Sequence, residues 1–177
     1  MTAFAIEIGE GFHGDGADAA HINTVLGLRD GPVGTAFATA LAQPTPGHVP
    51  FLAVWASNVP VEPPTLFVNK ATIGDDRHGT LTWGATQAGV AAGVTGHVAD
   101  RFTRAELARL ALIVAVWVNP DAGDAAAVYA NNLAATRDAL ARGRAALAPD
   151  ATSATTAIAE LVAGRLPSNP YFSPRGA

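Results

Sequence analysis

The chain of 177 residues has no cysteine and few charges, and Lys70 is the one lysine among its eleven basic residues. Without cysteine it has no disulfide, no thiol nucleophile and no thiolate metal ligand. Charged residues make up 15% of the chain and the net charge is -4, which gives no basic patch for nucleic acid. The longest apolar run, residues 110–118, is too short to cross a bilayer. The first residues, which include Glu7 and Glu10, do not resemble a signal peptide. We expect a cytoplasmic globular protein.

Lys70 is distinctive because arginine supplies every other basic side chain. Arginine stays charged, whereas the pKa of a lysine falls on burial and its neutral amine attacks carbonyl carbons. Lys70 and Thr72 fall on the same face of a predicted strand, so an amine and a hydroxyl could together bind a polar ligand. The alternative is an exposed edge strand that a solvated lysine protects from aggregation.

Apolar periodicity and turn residues predict alternating strands and helices. Strands are expected at residues 4–8, 20–26, 51–56, 65–73 and 111–118, with a glycine-rich turn at 9–16. Helices are expected at residues 33–41, 75–98, 124–147 and 155–162. Thr103 and Glu106 form a capping box that predicts a further short helix directly before the last strand. The fold class is therefore α/β (α+β). One domain at residues 1–147 precedes a C-terminal extension, 148–177, that holds a short helix and a loose tail.

Gly9, Gly11 and Gly14 satisfy the pattern G-x-G-x-x-G directly after the first predicted strand. A dinucleotide site also requires a helix that begins inside the motif, so that the pyrophosphate meets the helix N-terminus. The residues that follow, 15–18, do not allow such a helix start. We therefore reject a nucleotide site and expect a turn whose backbone passes close to a ligand or to a neighbouring subunit.

His21 follows this turn and shares a strand face with Asn23, which suits proton transfer near neutral pH. The alternative is a hydrogen-bonded structural histidine. His13, Asp15 and His21 do not have the spacing of a zinc site, so no metal is predicted. Gln87, on a predicted helix, could donate to and accept from a heterocyclic amide, or simply be solvated. The other four histidines lack comparable surroundings in the sequence: His13, His48, His78 and His97.

A series of segments runs in order over roughly residues 6 to 144. They are Gly14-Asp15-Gly16, Ala20-His21-Ile22, residues 31–37, Leu52-Ala53-Val54, Asn58-Val59-Pro60, residues 65–73, residues 83–87 and residues 132–136. Together they resemble the formaldehyde-activating enzyme family.

The resemblance implies a lyase that condenses formaldehyde with tetrahydromethanopterin to the methylene derivative and water, in one-carbon metabolism and formaldehyde detoxification. Tetrahydromethanopterin is then a co-substrate, and no metal takes part. The resemblance gives His21 the role of proton donor. It implies a sandwich fold similar to the second domain of ribosomal protein S5, and a homopentamer with active sites between subunits. The implied substrate-binding positions are Asn23, Leu52, Lys70, Thr72 and Gln87.

Asn23 departs from the family, which has an aspartate at this position. Asparagine keeps the size, loses the charge and gains a donor, so it should favour the neutral imidazole of His21 and weaken a general acid. Two alternatives therefore stay open. One is an enzyme that uses a different pterin-like or amine acceptor. The other is a non-catalytic protein that binds a pterin or captures formaldehyde as an imine on Lys70.

Overall fold

The computed structural model describes residues 5–147 and 153–165, which form a mixed α and β structure. The strands are β1 (Glu7–His13), β2 (Ala20–Leu28), β3 (Phe51–Leu52), β4 (Val54–Ala56), β5 (Val59–Pro60), β6 (Thr65–Asn69) and β7 (Leu110–Trp117). The helices are α1 (Pro32–Ala42), α2 (Asp76–Leu81), α3 (Gln87–Val98), α4 (Arg104–Leu107), α5 (Ala125–Ala145) and α6 (Ser153–Val162). A π-helical turn, Thr82–Thr86, joins α2 to α3.

Five strands form one sheet in the order β1-β2-β7-β6-β3. Only β6 and β7 run parallel; the other neighbouring strands are antiparallel. The chain between β6 and β7 carries α2, α3 and α4, as a parallel connection requires a long crossover. The pair β4-β5 forms a separate two-stranded sheet.

The two faces of the main sheet differ in what covers them. Strand alternation places buried side chains of β2 and β7, including Ile22 and Val114, toward α3 and α5. We call the opposite surface the open face. At one end of it α1 packs on β2, where Val33 faces Gly27. Elsewhere the open face includes exposed apolar side chains, among them Ile8 and Phe12.

The first strand differs from the prediction. Residues 9–13 continue β1 instead of forming a turn, and β1 pairs with β2 along its whole length. Gly9 and Gly11 face α5, where a Cβ on either would overlap a backbone carbonyl oxygen, that of Ala139 or that of Ala135. The close approach of Gly9 and Gly11 is therefore to a helix of the same chain. The expected contact of the remaining turn with a ligand or a neighbouring subunit stays a prediction.

The other predicted elements are present with changed ends. The expected strand at 51–56 is divided at Ala53, whose N–H donates to Thr65 at 2.9 Å and whose carbonyl accepts from Val61 at 3.1 Å. The strand expected at 65–73 ends at Asn69. Asp75 caps α2, Asp124 caps α5, and the capping box at α4 is formed. The expected tail beyond residue 165 lies outside the described residues. No helix in the described part of the chain is long and apolar enough to cross a membrane.

His97 gives the fold a dependence on pH. Its side chain on α3 is 3% exposed, and burial, together with Arg101, Arg137 and Arg144, lowers its pKa to about 4. A histidine of an unfolded chain has a pKa of about 6.5. The unfolded state therefore binds a proton first as the pH falls. The stability that neutral His97 contributes is complete above about pH 6.5 and is lost toward pH 4, by up to about 3 kcal/mol. Urea unfolding at pH 7 and pH 5 measures this loss. We expect a smaller loss in His97→Gln, and an equal loss in both proteins would contradict the assignment.

Candidate active site

A pair of ionisable side chains, His21 and Glu10, occupies the open face where β1 and β2 run side by side. His21 Nε2 lies 2.6 Å from Glu10 Oε1, and the two side chains are 37% and 44% exposed. The ladder places Glu10 directly across from Asn23 and Phe12 directly across from His21. The imidazole also contacts the ring of Phe12, with centroids 6.5 Å apart. His21 is thus held by a carboxylate, and solvent still reaches it.

Lys70 joins this pair from across the sheet. It follows β6, and its Nζ donates to Asn23 Oδ1 at 2.8 Å. The side chain reaches past β7, where Ala115 pairs with Asn23 on one side and with Val68 on the other. A small residue at position 115 leaves room for that reach. Burial lowers the pKa of Lys70, and the nearby Glu10 carboxylate opposes this by raising it. The lysine is therefore a partly buried amine held close to the carboxylate.

Thr72 belongs to a second hydrogen-bonded group beyond the end of β6. His48 Nδ1 donates to the carbonyl of Asn69 at 3.0 Å, which leaves Nε2 to accept from Thr72 Oγ1 at 2.9 Å. The Asn69 amide nitrogen donates to the carbonyls of Gly47 and Ala71. These bonds fix the loop that carries Thr72. The view that His48 lacks surroundings comparable to those of His21 is therefore wrong.

Leu52 and Gln87 line a cavity of about 440 Å³ at the β3 edge of the sheet. Gln87 Oε1 accepts from the backbone N–H of Val54 at 2.7 Å, which anchors the amide at the rim. Leu52 is 41% exposed and Trp83 is 55% exposed. The π-helical turn immediately precedes Gln87, and such turns occur frequently at functional sites. The cavity lining is mostly apolar: Val49, Phe51, Leu52, Val54, Trp83 and Gln87.

The predicted site residues therefore fall into separate groups within one chain. His21, Asn23 and Lys70 lie together on the open face. Leu52 also faces this side but lies on β3, three strand spacings from β2, which corresponds to about 14 Å. Gln87 approaches the same edge from α3. His13 and His21 point to opposite faces, and within the described residues no cluster of three or more metal-ligating side chains occurs.

Glu10 is the main site residue that the sequence reasoning missed. It stands inside the glycine motif, for which the sequence pattern predicts a turn. A β1 extended to His13 would have placed it on the same face as His21 by strand alternation alone.

Comparison with known proteins gives this geometry a context. The family model described as "Formaldehyde-activating enzyme (Fae)" matches residues 8–162. The chain belongs to the formaldehyde-activating enzyme family. It is 43% identical over 136 residues to the 5,6,7,8-tetrahydromethanopterin hydro-lyase of Methanosarcina barkeri, an alignment that covers 76% of each protein.

Longer relatives of the formaldehyde-activating enzyme family also match. The chain is 35% identical over 147 residues to the bifunctional enzyme Fae/Hps of Methanosphaerula palustris, which covers 82% of this chain and 37% of that protein. With the bifunctional enzyme Fae/Hps of Archaeoglobus fulgidus it is 38% identical over 136 residues, or 76% of this chain and 34% of that protein. The chain thus spans about a third of the length of these bifunctional relatives.

Proposed function

We propose that this member of an enzyme family condenses formaldehyde with tetrahydromethanopterin, giving methylene-tetrahydromethanopterin and water. The observation that carries the proposal is the His21–Glu10 pair beside Lys70, which combines a potential proton donor with a cation on an accessible surface. The hydro-lyase of Methanosarcina barkeri, named for tetrahydromethanopterin, supports the choice of acceptor.

The reaction needs a proton at one step. A pterin nitrogen adds to the carbonyl carbon of formaldehyde and gives a carbinolamine. His21, as imidazolium, then protonates the hydroxyl group; the C–O bond breaks, water leaves, and the nitrogen lone pair forms an iminium ion. The second pterin nitrogen attacks this carbon and loses its proton to solvent, which closes the methylene bridge. General-acid catalysis of this kind is worth about 10²- to 10⁴-fold in rate.

The remaining predicted residues would bind and orient the pterin. Lys70 offers a cation, Thr72 a hydroxyl and Gln87 an amide at the rim of an apolar cavity of about 440 Å³. Leu52 and the exposed indole of Trp83 would pack on that ring. Holding two nitrogens and an aldehyde together supplies the orientation that an intermolecular reaction lacks.

We also propose that the active site is completed between subunits of a cytoplasmic homopentamer with a fold similar to the second domain of ribosomal protein S5. Its catalytic unit is residues 1–147, and residues 148–177 are an extension. The separation of Leu52 and Gln87 from His21 within one chain supports a shared site. So does an apolar row across the open face, Ile8, Val25, Ile113, Leu66 and Leu52, whose two end residues are exposed. Leu66 is already buried within the chain, so the exposed side chains of Ile8 and Leu52 are the parts of this row that a partner would cover.

Asn23 favours a second candidate, the same chemistry on a different pterin-like or amine acceptor. Its amide oxygen accepts from Lys70, and position 23 offers no carboxylate to a ligand. The third candidate, capture of formaldehyde as an imine, draws on the lowered pKa of Lys70.

The deciding experiment measures methylene-tetrahydromethanopterin formation with and without the protein, because the uncatalysed condensation proceeds by itself. We expect acceleration above this background by the native protein and a further gain in Asn23→Asp. Sedimentation velocity on the same sample reports the assembly. Acceleration only in Asn23→Asp would instead indicate a changed acceptor. Acceleration in neither would reject the proposal and leave formaldehyde capture. Borohydride trapping tests formaldehyde capture without ambiguity about the residue, because an adduct on a lysine side chain can lie only at Lys70.

A further inference from the structure

The backbone on both sides of Glu10 is closely packed, although the Glu10 side chain is 44% exposed. It stands between Gly9 and Gly11, both of which lie directly against the backbone of α5. Arg142 on that helix also contacts the Glu10 carbonyl at 3.5 Å. With its neighbours held toward the helix, strand alternation directs the Glu10 side chain to the open face, where it meets His21. The position of this carboxylate thus follows from the packing of β1.

The Glu10 carboxylate also provides the negative charge beside His21 that Asn23 lacks. Position 23 has no charge and its amide binds Lys70, whereas Glu10 occupies the paired position on the neighbouring strand. The Glu10 carboxylate oxygen, 2.6 Å from His21 Nε2, accepts a hydrogen bond from that nitrogen and holds the ring in one orientation. The charge that is missing beside His21 on β2 is therefore supplied from β1.

The bond also distinguishes the two imidazole nitrogens. Nε2 is engaged by Glu10, and among the described residues no hydrogen bond to Nδ1 is found. In a carboxylate–histidine pair the carboxylate fixes the ring through one nitrogen while the other faces the reacting group. By the same logic, the proton for the leaving hydroxyl would come from Nδ1–H.

We propose that Glu10 is a positioning residue for His21, which holds Nε2 and leaves Nδ1 to deliver the proton. This inference rests on the proposed function for the identity of the proton acceptor. Glu10 acts through His21 and contacts no substrate atom in this scheme. The same carboxylate stabilises the ammonium of Lys70, so it supports both halves of the open-face group.

The test compares Glu10→Gln and Glu10→Ala with Glu62→Gln, which removes the same charge from an exposed loop. We expect kcat to fall by about tenfold or more in Glu10→Ala, less than in His21→Ala, with KM for the pterin changed by less than about threefold. Glu10→Gln keeps a hydrogen bond and should lose less than Glu10→Ala. Glu62→Gln should match the native protein. A kcat that is unchanged in both Glu10 variants would overturn the proposal, as would a loss confined to KM.

A measurement without substrate separates this proposal from the proposed function. Nitrogen-15 NMR of the ligand-free protein should show a downfield N–H proton on Nε2 of His21, assigned by its absence in His21→Ala. We expect this signal to vanish in Glu10→Ala and to persist in Glu62→Gln. A signal that survives in Glu10→Ala overturns the pairing. If the native protein gives no acceleration, the proposed function fails, and the presence or loss of this signal still decides whether Glu10 holds His21.

Discussion

Replacing His21 with alanine is expected to remove about 10²- to 10⁴-fold of the rate acceleration, so that turnover approaches the uncatalysed background. The reason is specific to one step. Addition of an amine to formaldehyde needs little help, but departure of hydroxide from the carbinolamine does. In the proposed mechanism the His21 imidazolium is the group that protonates this oxygen. Because the loss concerns the transition state, it should appear in kcat and not mainly in KM.

His13→Ala is the matched control for this substitution. His13 is also exposed and is the last residue of β1, but alternation directs its side chain to the face opposite His21. We expect it to retain the native rate. Initial rates across a range of pterin concentrations, corrected for the spontaneous reaction, measure both variants. A native rate in His21→Ala would exclude His21 as the general acid, and an equal loss in both variants would point to a general effect on the fold.

Replacing Gly9 or Gly11 with alanine is expected to destabilise the protein by about 3 kcal/mol or more, at or above the usual cost of overpacking a core. At either position the new Cβ would overlap a backbone carbonyl oxygen of α5, Ala139 for Gly9 and Ala135 for Gly11. A backbone carbonyl within a 21-residue helix cannot rotate away as a side chain can. The strand and the helix must therefore separate, which exposes the core between them.

Gly84→Ala provides the comparison, because a Cβ at position 84 meets nothing within 4 Å. In this helical segment the change should be neutral or stabilising by up to about 1 kcal/mol. Urea unfolding followed by far-ultraviolet circular dichroism gives both values. If Gly9→Ala and Gly84→Ala unfolded at the same urea concentration, the close packing of β1 on α5 would be disproved.

The sequence was sufficient where the signal is local. Asp75, Thr103 and Asp124 predicted helix starts because a capping side chain acts within three residues of its own position. Strands β2 and β7 were predicted from continuous or alternating apolar residues. The full length of β1 could not be predicted, because glycine inside a strand is normally unfavourable. The reason for Gly9 and Gly11 becomes visible only once α5, more than a hundred residues later, is packed against them.

The residues of the candidate site also divide into those that the sequence identifies and those whose contacts depend on the fold. Chemical types marked His21, Lys70, Thr72 and Gln87, and resemblance to a family added Leu52. The contact between Lys70 and Asn23 depends on β7 lying between β2 and β6, a non-local pairing that periodicity does not encode. The place of Glu10 beside His21 depends on the register of β1 against β2. The contact of His48 with Thr72 depends on a loop that is held by the bond from His48 to Asn69.

The place of β7 in the sheet sets an order of events during synthesis. Strand β7 separates β2 from β6 in space, yet residues 110–117 follow both in sequence. Until they have left the ribosome, β2 and β6 have no shared neighbour, and Lys70 has no path to Asn23. The open-face group is therefore completed late in translation. A nascent chain that stalls before β7 presents both strands with unsatisfied edges, the state in which a sheet protein is most exposed to aggregation.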